Sequence, residues 1–246
     1  SSGWRWAFHL VNVLTVVLIV LMVMVLAAQQ PYCEDWFFCR VPPVFRPSYS
    51  VGACLAVVFG AAATYVFYTY LTPIMRDEVH VPEQYLSVGL VIFGAACLWS
   101  NLYGASLPTV AGGVEPLTHI RPIYCAHAVL MASLIVTHWV PVYGALLLVV
   151  LGMFMYLQNS ASQVLYMDVA SQSHPGSLNL AASLNSMSFN IGIAVGSAVG
   201  GLVNAHLGLM WLGPVGAIFL LCAVGTTTLL RPFVARERDF YTKQQA

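Results

Sequence analysis

The sequence predicts an all-α fold, a polytopic bundle of about seven membrane-spanning helices. Three observations carry this. Of its 246 residues, 59% are hydrophobic and only 7% are charged. A soluble domain carries about 25% charged residues. The apolar residues gather into seven runs, each about as long as the roughly 20 residues a helix needs to cross a bilayer. No run alternates polar with apolar residues as a barrel strand does. Nine basic residues balance nine acidic ones. No net field then draws nucleic acid or another anionic partner, and the shortage of charge excludes a soluble globular enzyme, which needs a charged surface.

The spans are placed near Trp6–Ala28, Val51–Pro73, Tyr85–Leu107, Pro122–Trp139, Val142–Met167, Leu178–Ala205 and Met210–Leu230. Linkers hold the punctuation, including Pro31, Pro42, Pro43, Pro47, Pro82, Pro116 and Pro175. Val140 and Pro141 make the tightest connection, an antiparallel hairpin of the fourth and fifth spans. Pro73 ends the second span and Pro214 sits early in the seventh. Either could kink its helix, and for the end of the second span an ordinary helix stop at the outer interface is the expectation.

Lys and Arg in short loops set orientation. Arg40, Arg46, Arg121 and the tail residues Arg231, Arg236, Arg238 and Lys243 fall on one side, Arg5 and Arg76 on the other. The tail is therefore expected in the cytoplasm and Ser1 outside. The first methionine is Met22, and the opening apolar run lacks a signal-peptide cleavage site. A fragment of a longer chain is the expectation. The six cysteines, Cys33, Cys39, Cys54, Cys97, Cys125 and Cys222, match no zinc spacing and read as small hydrophobes. No metal and no cofactor is expected.

No Asp, Glu, Lys or Arg stands in the middle of a span. His127 is the mid-span residue able to titrate near neutrality, which makes it the candidate proton-linked residue. Polar residues form stripes instead. Tyr65, Tyr68, Thr69 and Thr72 follow i, i+3, i+4, i+7, the spacing of one helix face. Tyr156, Asn159, Ser160 and Gln163 repeat it in the fifth span, and Asn179, Ser183, Ser186 and Asn190 line the sixth. Such groups are costly against lipid, so they should turn toward partner helices or a wet cavity. Tyr65, Tyr68, Thr69, Thr72, Tyr156, Asn159, Gln163 and Asn190 are the candidate lining of a substrate cavity. Gly192, Gly196 and Gly200 recur every four residues, a groove for close helix packing nearly opposite Asn190.

Three stretches resemble the major facilitator transporters. Gly3 to Phe8, with Trp4, Arg5 and Trp6, resembles the outer start of their sixth helix. Phe67 to Pro73, with Tyr68, Thr69 and Thr72, resembles the seventh helix of the drug:proton antiporter branch. Ser183 to Gly201, the most specific stretch, resembles the eleventh helix of sugar- and nucleoside-efflux members. The loop motif after the eighth helix keeps Asn101 and Gly104 without the family's charges.

The resemblance implies a partial major-facilitator fold covering family helices six to twelve. Residues 1–50 would be the last helix of the N-terminal half and the central cytoplasmic loop. Residues 51–230 would be the C-terminal six-helix half, and 231–246 the cytoplasmic tail. It further implies proton-coupled efflux of a small solute (sugar, nucleoside or drug-like) across a bacterial inner membrane, by rocking of two halves. The partners would be that solute, the lipid bilayer and the N-terminal half of the same protein. A seven-helix receptor and a non-transporting membrane fragment are the alternatives. A membrane-embedded enzyme would need in-span carboxylates, a metal-ligand set or a Ser–His pair. His127 and Ser133 are six apart and face different ways.

Overall fold

A computed structural model describes residues 9, 12–18, 20, 21, 24, 47–106, 116–173 and 178–245. The chain forms two units, residues 1–41 and 42–246. In the first, residues 9, 12–18, 20, 21 and 24 are helical. Most of the first expected span lies outside the described residues.

In the second unit every long element is a helix. These are α1 (Pro47–Tyr68), α2 (Glu83–Ser106), α3 (Pro116–Ser133), α4 (Pro141–Ser173), α5 (Leu178–His206) and α6 (Leu212–Gln245). Among the described residues, 5 helices are long and apolar enough to cross a membrane, or 6 if one bent pair is counted as a single span. The residues expected to form the cytoplasmic tail continue α6 as helix through Gln245.

α1 is the hub. It packs most extensively against α5 and α6, while α2 lies on α4, and α3 lies on α6 and α4. Ala61, Ala62 and Ala63 are fully buried on α1, and these small side chains admit neighbouring backbones. The glycine row of α5 meets that surface. A Cβ on Gly192 would lie 2.5 Å from the Val58 carbonyl oxygen, and one on Gly200 would lie 2.7 Å from that of Val66. At Gly196 it would collide with the backbone of Ala62. On α6, Gly216 sits against the Ala63 carbonyl and Gly213 against that of Met131.

Pro73 does not stop its span. α1 loses its regular course at Thr69–Tyr70, and Leu71–Pro73 and Ile74–Glu78 then carry the chain onward at a 47° bend. Proline removes a helix hydrogen bond four residues upstream. The carbonyl deprived by Pro73 belongs to Thr69, which places the fault one turn before the proline. Tyr70 takes φ −109°, ψ 19°, outside the helical well. Its N–H bonds the Phe67 carbonyl at 2.9 Å, a tighter three-residue turn. Beyond Pro73 the winding widens, with Val79 N–H on the Ile74 carbonyl at 3.0 Å. His80, at φ 58°, ends the segment.

Pro214 falls in the first turn of α6, where a proline N–H is not needed. Pro122 lies inside α3, which begins six residues earlier than the sequence suggests. The fourth–fifth hairpin turns through a 3₁₀ segment, Leu134–His138, with Pro141 opening α4. A hydrogen bond fastens this turn to the end of the bent span, His138 Nδ1 standing 3.0 Å from Glu78 Oε2.

Substituting Gly196→Val forces apart the α1 and α5 backbones. We expect a loss of about 1–3 kcal/mol, the cost of overpacking a close contact. Gly225→Ala, with nothing within 4 Å of the new Cβ, should be neutral or stabilising by up to about 1 kcal/mol. Thermal unfolding of the purified protein in detergent checks both.

Candidate functional site

The site begins with α2 against α4. Gly152 leaves room for the ring of Phe93, since a Cβ there would sit 2.9 Å from the Phe93 ring. The Cys97 thiol donates to the Gly152 carbonyl at 3.4 Å, and the Ser100 hydroxyl donates to the Met153 carbonyl. These contacts hold one face of α2 on α4. Phe93 is thereby set to stack on Tyr68 of α1, centroid to centroid 5.9 Å at 27°. Tyr65 meets Tyr68 edge-on at 5.4 Å and Phe189 of α5 edge-on at 6.0 Å. Four rings from three helices thus form one connected aromatic wall.

Beside that wall lies a cleft of about 430 Å³. Tyr68, Leu71, Leu90, Phe93, Gly94, Cys97, Leu98, Asn101 and Tyr156 line it. That size and mixture suit a small organic molecule, with apolar and aromatic walls and a few polar groups to orient it. The polar groups facing it are the Tyr68 and Tyr156 phenols and the Asn101 amide. Because the Cys97 thiol is spent on a backbone carbonyl, it is a poor reader of a ligand. Among the described residues, no Asp, Glu, Lys or Arg is in the lining. A second, smaller cleft of about 220 Å³ lies between the end of the bent span, α2 and α4, and its lining of Met75, Val79, Ile92, Leu148 and their neighbours is almost wholly apolar.

The candidate residues fall into three groups. Tyr68 and Tyr156 line the larger cleft, with Tyr65 behind Tyr68. Thr69 turns toward α5, its hydroxyl 3.0 Å from Ser197 Oγ and 2.9 Å from the Tyr65 carbonyl. Thr72 and Gln163 are exposed and Asn159 is half-buried, all three outside the lining of that cleft. Asn190 is also exposed and outside it, its amide donating to the Ser186 carbonyl at 2.9 Å on the same helix.

His127 is fully buried, away from the cleft lining. Its Nδ1 is 3.0 Å from Gln158 Oε1, a hydrogen bond joining α3 to α4, and its Nε2 has no partner. The carboxamide acceptor fixes the tautomer, with the proton on Nδ1. Gly60 of α1 makes the space, since a Cβ there would strike the Gln158 amide and crowd the Tyr124 hydroxyl. Tyr124 donates to the Ala56 carbonyl at 3.4 Å. This cluster links three helices through polar atoms in the apolar interior.

Sequence reasoning passed over Phe93, Gln158 and Ser197, and it treated Asn101 only as a motif remnant. Gln158 carried a usable signal. It is an amide within an apolar run, as His127 is an imidazole within another, and two such groups satisfy each other most cheaply. Phe93 carried none, because an aromatic in an apolar run has no mark of its role.

Comparison with known proteins adds the relationship. No family model matches the chain. YtbD, an uncharacterized MFS-type transporter of Bacillus subtilis (strain 168), is 24% identical over 180 residues, 73% of this chain and 44% of its own length. The inner membrane transport protein YdhP of Escherichia coli (strain K12) is 27% identical over 226 residues, 89% of this chain and 54% of its own. A Mannheimia succiniciproducens protein named Probable sugar efflux transporter is 26% identical over 226 residues, 89% and 53%. This chain is a multi-pass membrane protein homologous to MFS-type transporters. It spans about half the length of the curated relatives it matches. The relatives are transporters by name and not enzymes.

The buried pair yields a prediction. His127→Leu leaves Gln158 with an orphaned carbonyl in a dry interior, at a cost of about 1–3 kcal/mol. Adding Gln158→Leu should recover more than half of that loss, because both polar groups are then gone. Unfolding of the single and double variants in detergent measures the coupling.

Proposed function

We propose that this chain forms the C-terminal half of a secondary transporter that exports a small, uncharged organic solute by alternating access. The observation that carries the reading is the cleft walled by Tyr68, Phe93 and Tyr156 with Asn101 beside them, on a chain homologous to MFS-type transporters. Flat rings offer stacking surfaces for a sugar or nucleoside ring, and the phenols and the amide can hydrogen-bond its hydroxyls. The uncharged lining favours neutral or zwitterionic solutes, since a desolvated charge there would lack a partner. Thr69, Thr72, Asn159, Gln163 and Asn190 extend the polar surface along which a solute would pass. The relative named as a sugar efflux transporter supports the sugar class.

The protein is placed in the bacterial inner membrane with its C-terminus in the cytoplasm. The surplus of Lys and Arg on the tail side supports that orientation, and a relative named as an inner membrane transport protein supports that membrane. Export is driven by proton antiport in this reading, with His127 as the candidate proton-linked group of this half. In inverted vesicles, solute accumulation should then vanish when a protonophore collapses the gradient. Accumulation that persists rejects proton drive.

For the cavity, the test is solute transport by the protein expressed from its complete reading frame. Tyr68→Ala together with Asn101→Ala should lower transport by about tenfold or more, the loss of roughly one stacking and one polar contact. Unchanged transport in the double variant, at equal expression, rejects the assignment.

A further inference from the structure

We propose that the break at Thr69–Tyr70 is a hydrogen-bond acceptor site that receives a hydroxyl of the transported solute. The inference rests on the transporter reading above and adds to it a second contact point, made of backbone and of Ser197.

Three facts build the site. Pro73 has no N–H to give the Thr69 carbonyl, and the Ile74 N–H bonds the Tyr70 carbonyl at 2.9 Å instead. The Thr69 hydroxyl has a single proton, and the Tyr65 carbonyl at 2.9 Å takes it. With that proton committed, the 3.0 Å contact between Thr69 and Ser197 is made by the Ser197 proton. Both hydroxyl protons are thus consumed inside the protein. What these bonds leave over is acceptor only, the Thr69 carbonyl and the remaining lone pair of Ser197 Oγ.

Position makes this arrangement consequential. Thr69 is exposed and Ser197 half-buried, within a span. Non-helical backbone at membrane depth is tolerated where it is buried in protein or lines a water-filled cavity, and lipid cannot satisfy it. Discontinuous helices in secondary transporters present unwound carbonyls to what they carry. The acceptors have no carboxylate among their hydrogen-bond partners to balance an ammonium group. A neutral hydroxyl is the donor they fit. Tyr70 steadies the break, its ring edge near Gly200 and its hydroxyl near Gly201, positions where a Cβ would stand 3.2 and 3.3 Å from it.

The test uses the protein from its complete reading frame, with its native cysteines replaced, reconstituted in liposomes. Ala194→Cys, an exposed position one turn from Ser197 on α5, and, as a buried control, Val66→Cys are treated with a membrane-impermeant anionic methanethiosulfonate. The thiol introduced by Ala194→Cys should react at least about tenfold faster than that of Val66→Cys, as an aqueous position does against a packed one. D-glucose should slow that reaction about threefold, and its fully O-methylated derivative, which keeps the ring and loses every donor, should not. Pro73→Ala restores an N–H to the Thr69 carbonyl. It should abolish more than half of the glucose protection while leaving the reaction rate unchanged.

Equal reaction of the two thiols overturns the site, and so does protection that is absent or the same for both sugars. If liposomes carry glucose but donor-dependent protection is absent, the acceptor site alone falls. If protection is present and no solute moves, the transporter reading falls while the site stands.

Discussion

The second unit depends on how closely α5 lies against α1. Inside a bilayer there is no hydrophobic drive between helices, because lipid tails are as apolar as side chains. Association has to come from contact, and contact is greatest where backbones touch. Gly192, Gly196 and Gly200 supply three successive turns without side chains, and the carbonyls of Val58, Ala62 and Val66 fill that space. With α5 fixed on one flank, and Gly216 of α6 against Ala63 on the other, α1 becomes the element to which the rest is referred.

That closeness also accounts for the site. Where the glycine row ends, α1 breaks. Thr69 crosses to Ser197 and Tyr70 lies over Gly200 and Gly201. The bend turns the span's end toward the turn between α3 and α4, where Glu78 meets His138. Upstream of the break, Tyr65 and Tyr68 point away from the glycine contact, to Phe189 and Phe93. One helix therefore carries a packing face, an aromatic face and a fault between them. α2 is pinned to α4 by Cys97, Ser100 and the Phe93–Gly152 contact, and Tyr68 of α1, stacked on Phe93, borders the cleft with its exposed part.

Much of this was legible beforehand, and the reason is the solvent. A bilayer imposes length and apolarity on each span, so runs of apolar residues map directly onto helices. The four-residue glycine period is equally direct, since only close packing makes use of it. The polar stripes were less informative. Periodicity tells which residues share a face, but not whether that face meets lipid, a helix or water. Asn190 illustrates this, because its amide is satisfied within its own helix. Pro73 illustrates another limit. The proline was plain, yet its effect falls a turn upstream at Thr69, and the chain continues as helix with the Tyr65 and Phe67 carbonyls taken by the Thr69 hydroxyl and the Tyr70 N–H, while the Thr69 carbonyl loses its helical donor.

By itself, then, the sequence determined the class of protein, the course of its spans and the surface by which two of them associate, since each follows from local composition or a short period along one helix. Tertiary structure alone decided which polar groups meet. The pairing of His127 with Gln158, the stacking of Tyr68 on Phe93 and the contact of Thr69 with Ser197 join residues 31, 25 and 128 positions apart. Such distances depend on how helices rotate and slide against one another, and those degrees of freedom are set by side-chain volume at the contact. No pattern within one helix encodes them.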